Sequence, residues 1–215
     1  MMEQDPLTLA TAAGAGFCWI FVYILLIRRG FLDRTCGMPV VALVLNSTWE
    51  LIYGFVHPSN TVPPWVVRLW FGIDLVLWYQ YVRFGLPELR RQFPAMAVYL
   101  GLALTIFGTY EVQITIVHEL GDLAEAYAGM GVNLVMSALF VNFVVTRSSA
   151  AGQSMYIGLL KLIGTVVIYV PGHATHPSSE VLPALHIACG VLDGAYLLLL
   201  YRQLRKDGLS PWRRL

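Results

Sequence analysis

Residues 10–29 read ATAAGAGFCWIFVYILLIRR, a run with no charged side chain until Arg28 and Arg29 close it. A helix needs about 20 mostly apolar residues to cross a bilayer. At about 1.5 Å of rise per residue, such a run is about 30 Å long. The basic residues follow the apolar run instead of preceding it. The segment is therefore expected to be a membrane span and not a cleaved signal peptide.

Working outward, six further stretches have the same character: residues 38–57, 65–84, 95–117, 127–146, 154–171 and 181–201. Only short loops and tails separate them, with no linker or low-complexity tract. The composition agrees. Of the 215 residues, 57% are hydrophobic and 13% charged, where a soluble domain carries about 25% charged residues. A net charge of +1 gives no basic excess for binding nucleic acid. Cys18, Cys36 and Cys189 lie far apart, with no spacing that suggests a disulfide framework or a zinc site. The expected fold is all-α: a seven-transmembrane-helix bundle forming one integral-membrane domain over residues 1–215.

Loop charge orients the bundle. Twelve Lys and Arg residues fall in the first, third and fifth loops and the C-terminal tail, and none in the N-terminus or the other loops. The N-terminus is expected outside and the C-terminus in the cytoplasm. The outer fourth loop is acidic instead, with Glu119, Asp122 and Glu125.

Six ionisable residues fall inside the spans: Glu50, Arg68, Asp74, Glu111, Lys161 and Asp193. Each would cost about 2.5–3.5 kcal/mol if ionised and lipid-exposed at the bilayer centre. They are therefore expected to face the interior, to pair, or to stay neutral. At about 1.5 Å per residue, the acidic groups cluster around and above the midplane, where they could line one cavity that opens outward. Arg68 and Glu111 are one candidate pair, which need have no chemical role. Lys161 and Asp193 are another, although Lys161 is read as snorkelling toward the cytoplasmic face in preference. Asn133 and His186 read as interhelical hydrogen-bonders rather than ligands. His57, His173 and His176 read as solvated loop residues. No set of side chains demands a metal.

Glu50 has no basic residue at its depth. A buried carboxyl without a cation stays protonated, because desolvation disfavours the anion. In an apolar pocket it is a proton donor, and by default a functional candidate. Aromatic residues stand near it. Trp65, Trp212 and Trp19 suit an interfacial belt. Trp49, Tyr53, Trp70, Trp78, Tyr79, Tyr110, Tyr169 and Tyr196 lie within spans, as packing or as a lining whose ring faces attract positive charge.

Two segments carry a resemblance. One is the second-span run 46–55 (NSTWELIYGF), with Glu50 after Trp49; the other is the last-span run 190–196 (GVLDGAY), centred on Asp193. With seven short-looped spans and this length, the chain resembles the integral-membrane terpene cyclases. That is the pyripyropene cyclase type of fungal meroterpenoid pathways, with bacterial members acting on prenylated indoles. The resemblance implies that Glu50 and Asp193 are the essential acids. It implies proton-initiated cyclisation of a linear prenyl chain, or of its epoxide, through carbocations that end by losing a proton. It further implies a lipophilic prenylated substrate drawn from the lipid bilayer. Asp74, Glu111, Trp49, Tyr53, Trp70, Trp78, Tyr110, Asn133, His186 and Tyr196 are then the supporting or substrate-binding residues. The chain is shorter than the fungal type, so a bacterial cell membrane is expected.

Absent motifs fit this reading. The chain has no DDxxD run for magnesium and a diphosphate, no DxDD run, no P-loop and no GxSxG. No cofactor is expected. The competing reading is a seven-helix transporter or channel that uses the same carboxyls as a proton relay. It lacks the matched Pro- or Gly-broken helices of two repeated halves. A retinal-type receptor would need a Schiff-base lysine in the last span, where there is none.

Overall fold

The computed structural model describes residues 6–147 and 149–215. Among them the regular structure is entirely helical, with no strand. Helix α1 spans Pro6–Asp33. Helix α2, Val40–Leu51, runs on through a π-helical turn at Ile52–Val56. Helix α3, Pro64–Gln80, continues through a second π turn at Tyr81–Gly85 into the short α4, Leu86–Gln92. Helix α5 spans Ala95–Leu120, and α6 spans Ala124–Arg147. Helix α7 is Met155–Val167, α8 is Tyr169–Thr175, and α9 is Val181–Lys206.

Four stretches are long and apolar enough to cross a membrane: Pro6–Asp33, Ala95–Arg147, Met155–Thr175 and Val181–Lys206. The segment Val40–Val56 is a shorter apolar helix. The 53-residue stretch is two helices, because Gly121 at φ 53° and ψ −120° ends α5. That backbone region is open to glycine at little cost. The chain turns there and lays α6 back along α5. Proline marks the other starts. Pro39, Pro63 and Pro94 precede α2, α3 and α5, and Pro64 opens α3, where its missing N–H costs no hydrogen bond.

Six helices close a ring. Helix α1 packs on α3, α3 on α2, α2 on α6, α6 on α9, α9 on α7, and α7 back on α1. Helix α5 lies outside this ring against α2 and α6. Its apolar residues Leu100, Leu104, Phe107 and Val112 are exposed. So are Phe17 on α1, Leu75 on α3 and Ile187 and Val191 on α9. An apolar exterior of this extent suits lipid and not water.

The ring interior is packed with buried apolar side chains. Leu26, Leu43, Leu77, Phe140, Tyr196 and Leu200 share one cluster. At the arginine-rich end, a polar clamp ties loops and tail together. Asp33 pairs with Arg29 and Arg214 and accepts the Gly152 N–H at 2.7 Å. Arg214 also donates to the carbonyls of Gln153 and Ala150. Outside the ring, two shallow apolar grooves of about 250 and 400 Å³ follow the α2–α5 seam. Thr105 lines both.

Candidate active site

Helix α2 places Asn46 and Glu50 one turn apart, so both face the ring interior. Glu50 is 1% exposed. Its Oε1 accepts the Tyr23 hydroxyl from α1 at 3.0 Å and the Asn46 amide at 2.8 Å. Asn46 also donates to Asp74 Oδ2 on α3 at 3.0 Å and to the Tyr23 hydroxyl at 2.5 Å. Ser47 donates to Asp74 Oδ2 at 2.8 Å, and the Trp78 indole N–H donates to Ser47 at 2.9 Å. Asp74 is fully buried. The two carboxyls lie close enough to hydrogen-bond one another. Neither forms a salt bridge among the described residues. Glu50 Oε2 and Asp74 Oδ1 are left without a donor.

A second polar centre lies on the other arc of the ring. Lys161 on α7 is 1% exposed and holds Asp193 Oδ1 of α9 at 2.7 Å. Its ammonium also donates to Asn133 Oδ1 at 2.9 Å and Ser137 at 2.5 Å, both on α6. Asn133 donates to Thr165 at 3.0 Å, and Thr165 to Asp193 Oδ2 at 3.4 Å. Helix α1 touches both centres. Trp19 lies under the Lys161 ammonium, 5.7 Å from Nζ to ring centroid, and Tyr23, one turn on, reaches Glu50.

Several expectations need correction. Lys161 does not snorkel; three polar partners inside the ring hold its ammonium more effectively than a stretch to the interface would. Trp19 belongs to this centre and not to an interfacial belt. Arg68 and Glu111 do not pair. Arg68 donates to the Gly54 carbonyl at 2.8 Å and stands over Phe55, while Glu111 is exposed on α5, outside the ring. The carboxyls therefore line no common cavity: Glu50 and Asp74 sit together, and Asp193 and Glu111 sit apart from them. His186 bonds within its own helix, to the Leu182 carbonyl at 2.7 Å, so it is no interhelical link. Asn133 is one, as expected. His57 and His173 are exposed, but His176 is half-buried.

The aromatic residues divide. Trp49 and Tyr53 stack at 5.0 Å, and both the indole N–H and the hydroxyl are buried without a partner. Trp70, one turn before Asp74, also has an unpartnered indole N–H. Trp49 and Tyr53 pack in the cluster of Ile52 and Ala128, and Trp70 packs close to Gly16 of α1. Tyr196 is a packing residue: it is fully buried, edge-on to Phe140 and bonded to Gln153 Oε1 at 2.5 Å. Tyr110 is half-buried against the Ile52–Tyr53 cluster. Tyr23, Asn46, Ser47 and Thr165 are functional candidates that a search for charged residues passes over. The signal for Asn46 and Ser47 is an amide or hydroxyl at helical spacing from Glu50, and for Thr165 a hydroxyl one turn from Lys161; Tyr23 carries no such signal.

Comparison with known proteins bears on this geometry. Residues 2–175 match the family described as Pyr4-like transmembrane terpene cyclases. The terpene cyclase olcD of Penicillium canescens is 28% identical, covering 95% of this chain and 87% of its own. The Pyr4-family terpene cyclase mfmH of Annulohypoxylon moriforme is 28% identical over 87% and 78% of the two chains. The terpene cyclase pyr4 of Aspergillus fumigatus is 24% identical over 93% and 88%. These relatives are fungal, so the bacterial placement inferred from chain length has no support, and neither has the transporter reading. No solved structure matches the chain.

Proposed function

Because the chain belongs to the Pyr4-like transmembrane terpene cyclases, we propose that it cyclises the linear prenyl chain of a meroterpenoid or prenylated indole, starting by proton transfer. In this proposal all seven apolar helical segments traverse the bilayer, with the N-terminus outside and the C-terminus cytoplasmic. The observation that carries the reading is Glu50. It is buried, it has no cationic partner among the described residues, and one of its oxygens is without a donor.

The neutral Glu50 gives its proton to a terminal alkene carbon or an epoxide oxygen. A positioned general acid contributes about 10²–10⁴-fold. Asp193 acts as an anion within the Lys161 pair, as the second acid centre toward which positive charge is drawn. Trp49, Tyr53 and Trp70 fold the chain and offer ring faces to the cation. Water would quench such a cation, and the apolar ring interior excludes it. The substrate is lipophilic and approaches from the bilayer, for which the α2–α5 seam offers an apolar surface.

The test is incubation of membranes containing the protein with farnesylated candidate substrates. A product of unchanged mass and altered retention is expected. In D₂O an alkene start places one deuterium on the protonated carbon. Glu50→Gln keeps the size and removes the donor, and is expected to lower turnover by about 10²–10⁴-fold. Parent-rate cyclisation by well-inserted Glu50→Gln and Asp193→Asn proteins would end this reading.

A further inference from the structure

Glu50 and Asp74 form a unit that the functional reading above does not use. Their outer oxygens, Oε1 and Oδ2, take all the available donors from Tyr23, Asn46 and Ser47. The remaining oxygens, Oε2 and Oδ1, have no donor, although the two carboxyls are within hydrogen-bonding reach. A single amide, Asn46 Nδ2, spans both acids at 2.8 and 3.0 Å. Two buried carboxylates this close, with no cation, cannot both be ionised. Among the described residues no side chain donates to Oε2 or Oδ1, and a proton on one of the acids themselves would satisfy such an oxygen. Asp193 is not the partner, because Lys161 and Thr165 hold it.

We propose that Asp74 is the positioning partner of Glu50, the two carboxyls hydrogen-bonded at rest and sharing the one remaining proton once Glu50 has given up its own. The inference deepens the functional reading by naming the residue that receives the charge Glu50 leaves behind. At rest both acids are protonated. In the first step the Glu50 O–H bond breaks and a C–H bond forms on an alkene, or an O–H bond on an epoxide. The proton of Asp74 then bridges to the Glu50 carboxylate and spreads the single negative charge over both groups, while Asn46 holds both in register. The last cation loses a C–H proton to this carboxylate pair. The one proton given up is thereby restored, the pair again carries two, and none is consumed overall.

The experiment reads the carboxyls directly, on the full chain in lipid nanodiscs, by infrared difference spectra between H₂O and D₂O. Exchangeable C=O bands of protonated carboxylic acids are expected. Glu50→Gln should remove one band and shift the other. Asp74→Asn should shift the band that Glu50→Gln removes. Ser47→Ala, which strips one donor from Asp74 Oδ2 and is a small change, should shift the Asp74 band and serves where Asp74→Asn inserts poorly. In turnover, Asp74→Asn should lower kcat by about 10²-fold with KM nearly unchanged, and Asp74→Glu should restore part of it. Bands that stay at the parental frequency when the partner is replaced overturn the hydrogen-bonded acid pair. The two failures are distinguishable. No cyclisation with any substrate sinks the functional reading and leaves the band shifts standing. Unmoved bands in an active cyclase sink the acid pair alone.

Discussion

Replacing Lys161 with Met tests how far the second polar centre holds the ring together. The ammonium lies 2.7 Å from Asp193 Oδ1 and also donates to Asn133 and Ser137. At an effective dielectric of about 20, the gross attraction at that distance is about 6 kcal/mol. Removing both ions from water offsets much of it. Methionine fills the space but leaves Asp193 buried without its counter-ion, and losing one partner of a buried pair costs about 3–5 kcal/mol. For a chain of this size that corresponds to a fall in Tm of roughly 10 °C. Thermal unfolding in nanodiscs, followed by tryptophan fluorescence, reads the change. The double variant Lys161→Met with Asp193→Leu is expected to regain most of the loss, since an apolar replacement of a whole pair is often neutral. A Lys161→Met protein as stable as the parent, or a double variant no better than the single, would refute the reasoning.

Gly158→Ala should destabilise by about 1–3 kcal/mol through overpacking, because the new Cβ would meet Leu197 Cδ2 at 2.7 Å and Tyr196 Cε1 at 2.8 Å; an unchanged Tm would argue against the α7–α9 approach. Burial pushes the Cys36 thiol up to about 11, against smaller opposing pulls from a backbone hydrogen bond at Met38 and from Arg147. Below that pH it stays a thiol, so maleimide should leave Cys36 unlabelled at neutral pH until the protein is denatured, as peptide mass spectrometry would reveal. A reporter joined after Leu215 should read as cytoplasmic, and an external reading would reverse the proposed orientation.

The helical, membrane-type character was legible in runs such as residues 10–29, because lipid-facing and ring-facing positions are both apolar there. The two π turns were not legible. Neither the apolar 52–56 nor 81–85, with its one charged residue Arg83, carries a mark of a π turn, and the extra residue per turn shows only in the backbone bonds. Depth arithmetic correctly set Lys161 level with Asp193. It favoured the wrong outcome because hydropathy cannot see Asn133 and Ser137 waiting on a third helix. Glu111 illustrates the converse: α5 stands outside the ring, a fact of topology and not of composition. Glu50 stood out because it lacked a matching cation. The Asn46 bridge to Asp74 lay in plain view at i, i+4 spacing from Glu50, yet an uncharged amide draws no notice in a search for charge.

The clamp around Asp33 also constrains the order of assembly. Helix α1 is synthesised first, but Arg214, which locks its end, follows 181 residues later. Until α9 is in place, Asp33 has only Arg29, on its own helix, as an ionic partner. The α1–α7 and α1–α3 seams must therefore form while one end of the ring is still unlatched. Closure of the ring is a late step that depends on contacts distant in sequence, and such contacts form slowly. A nascent chain halted before α9 would present the acid pair of Glu50 and Asp74 on an open arc, exposed to lipid or to water.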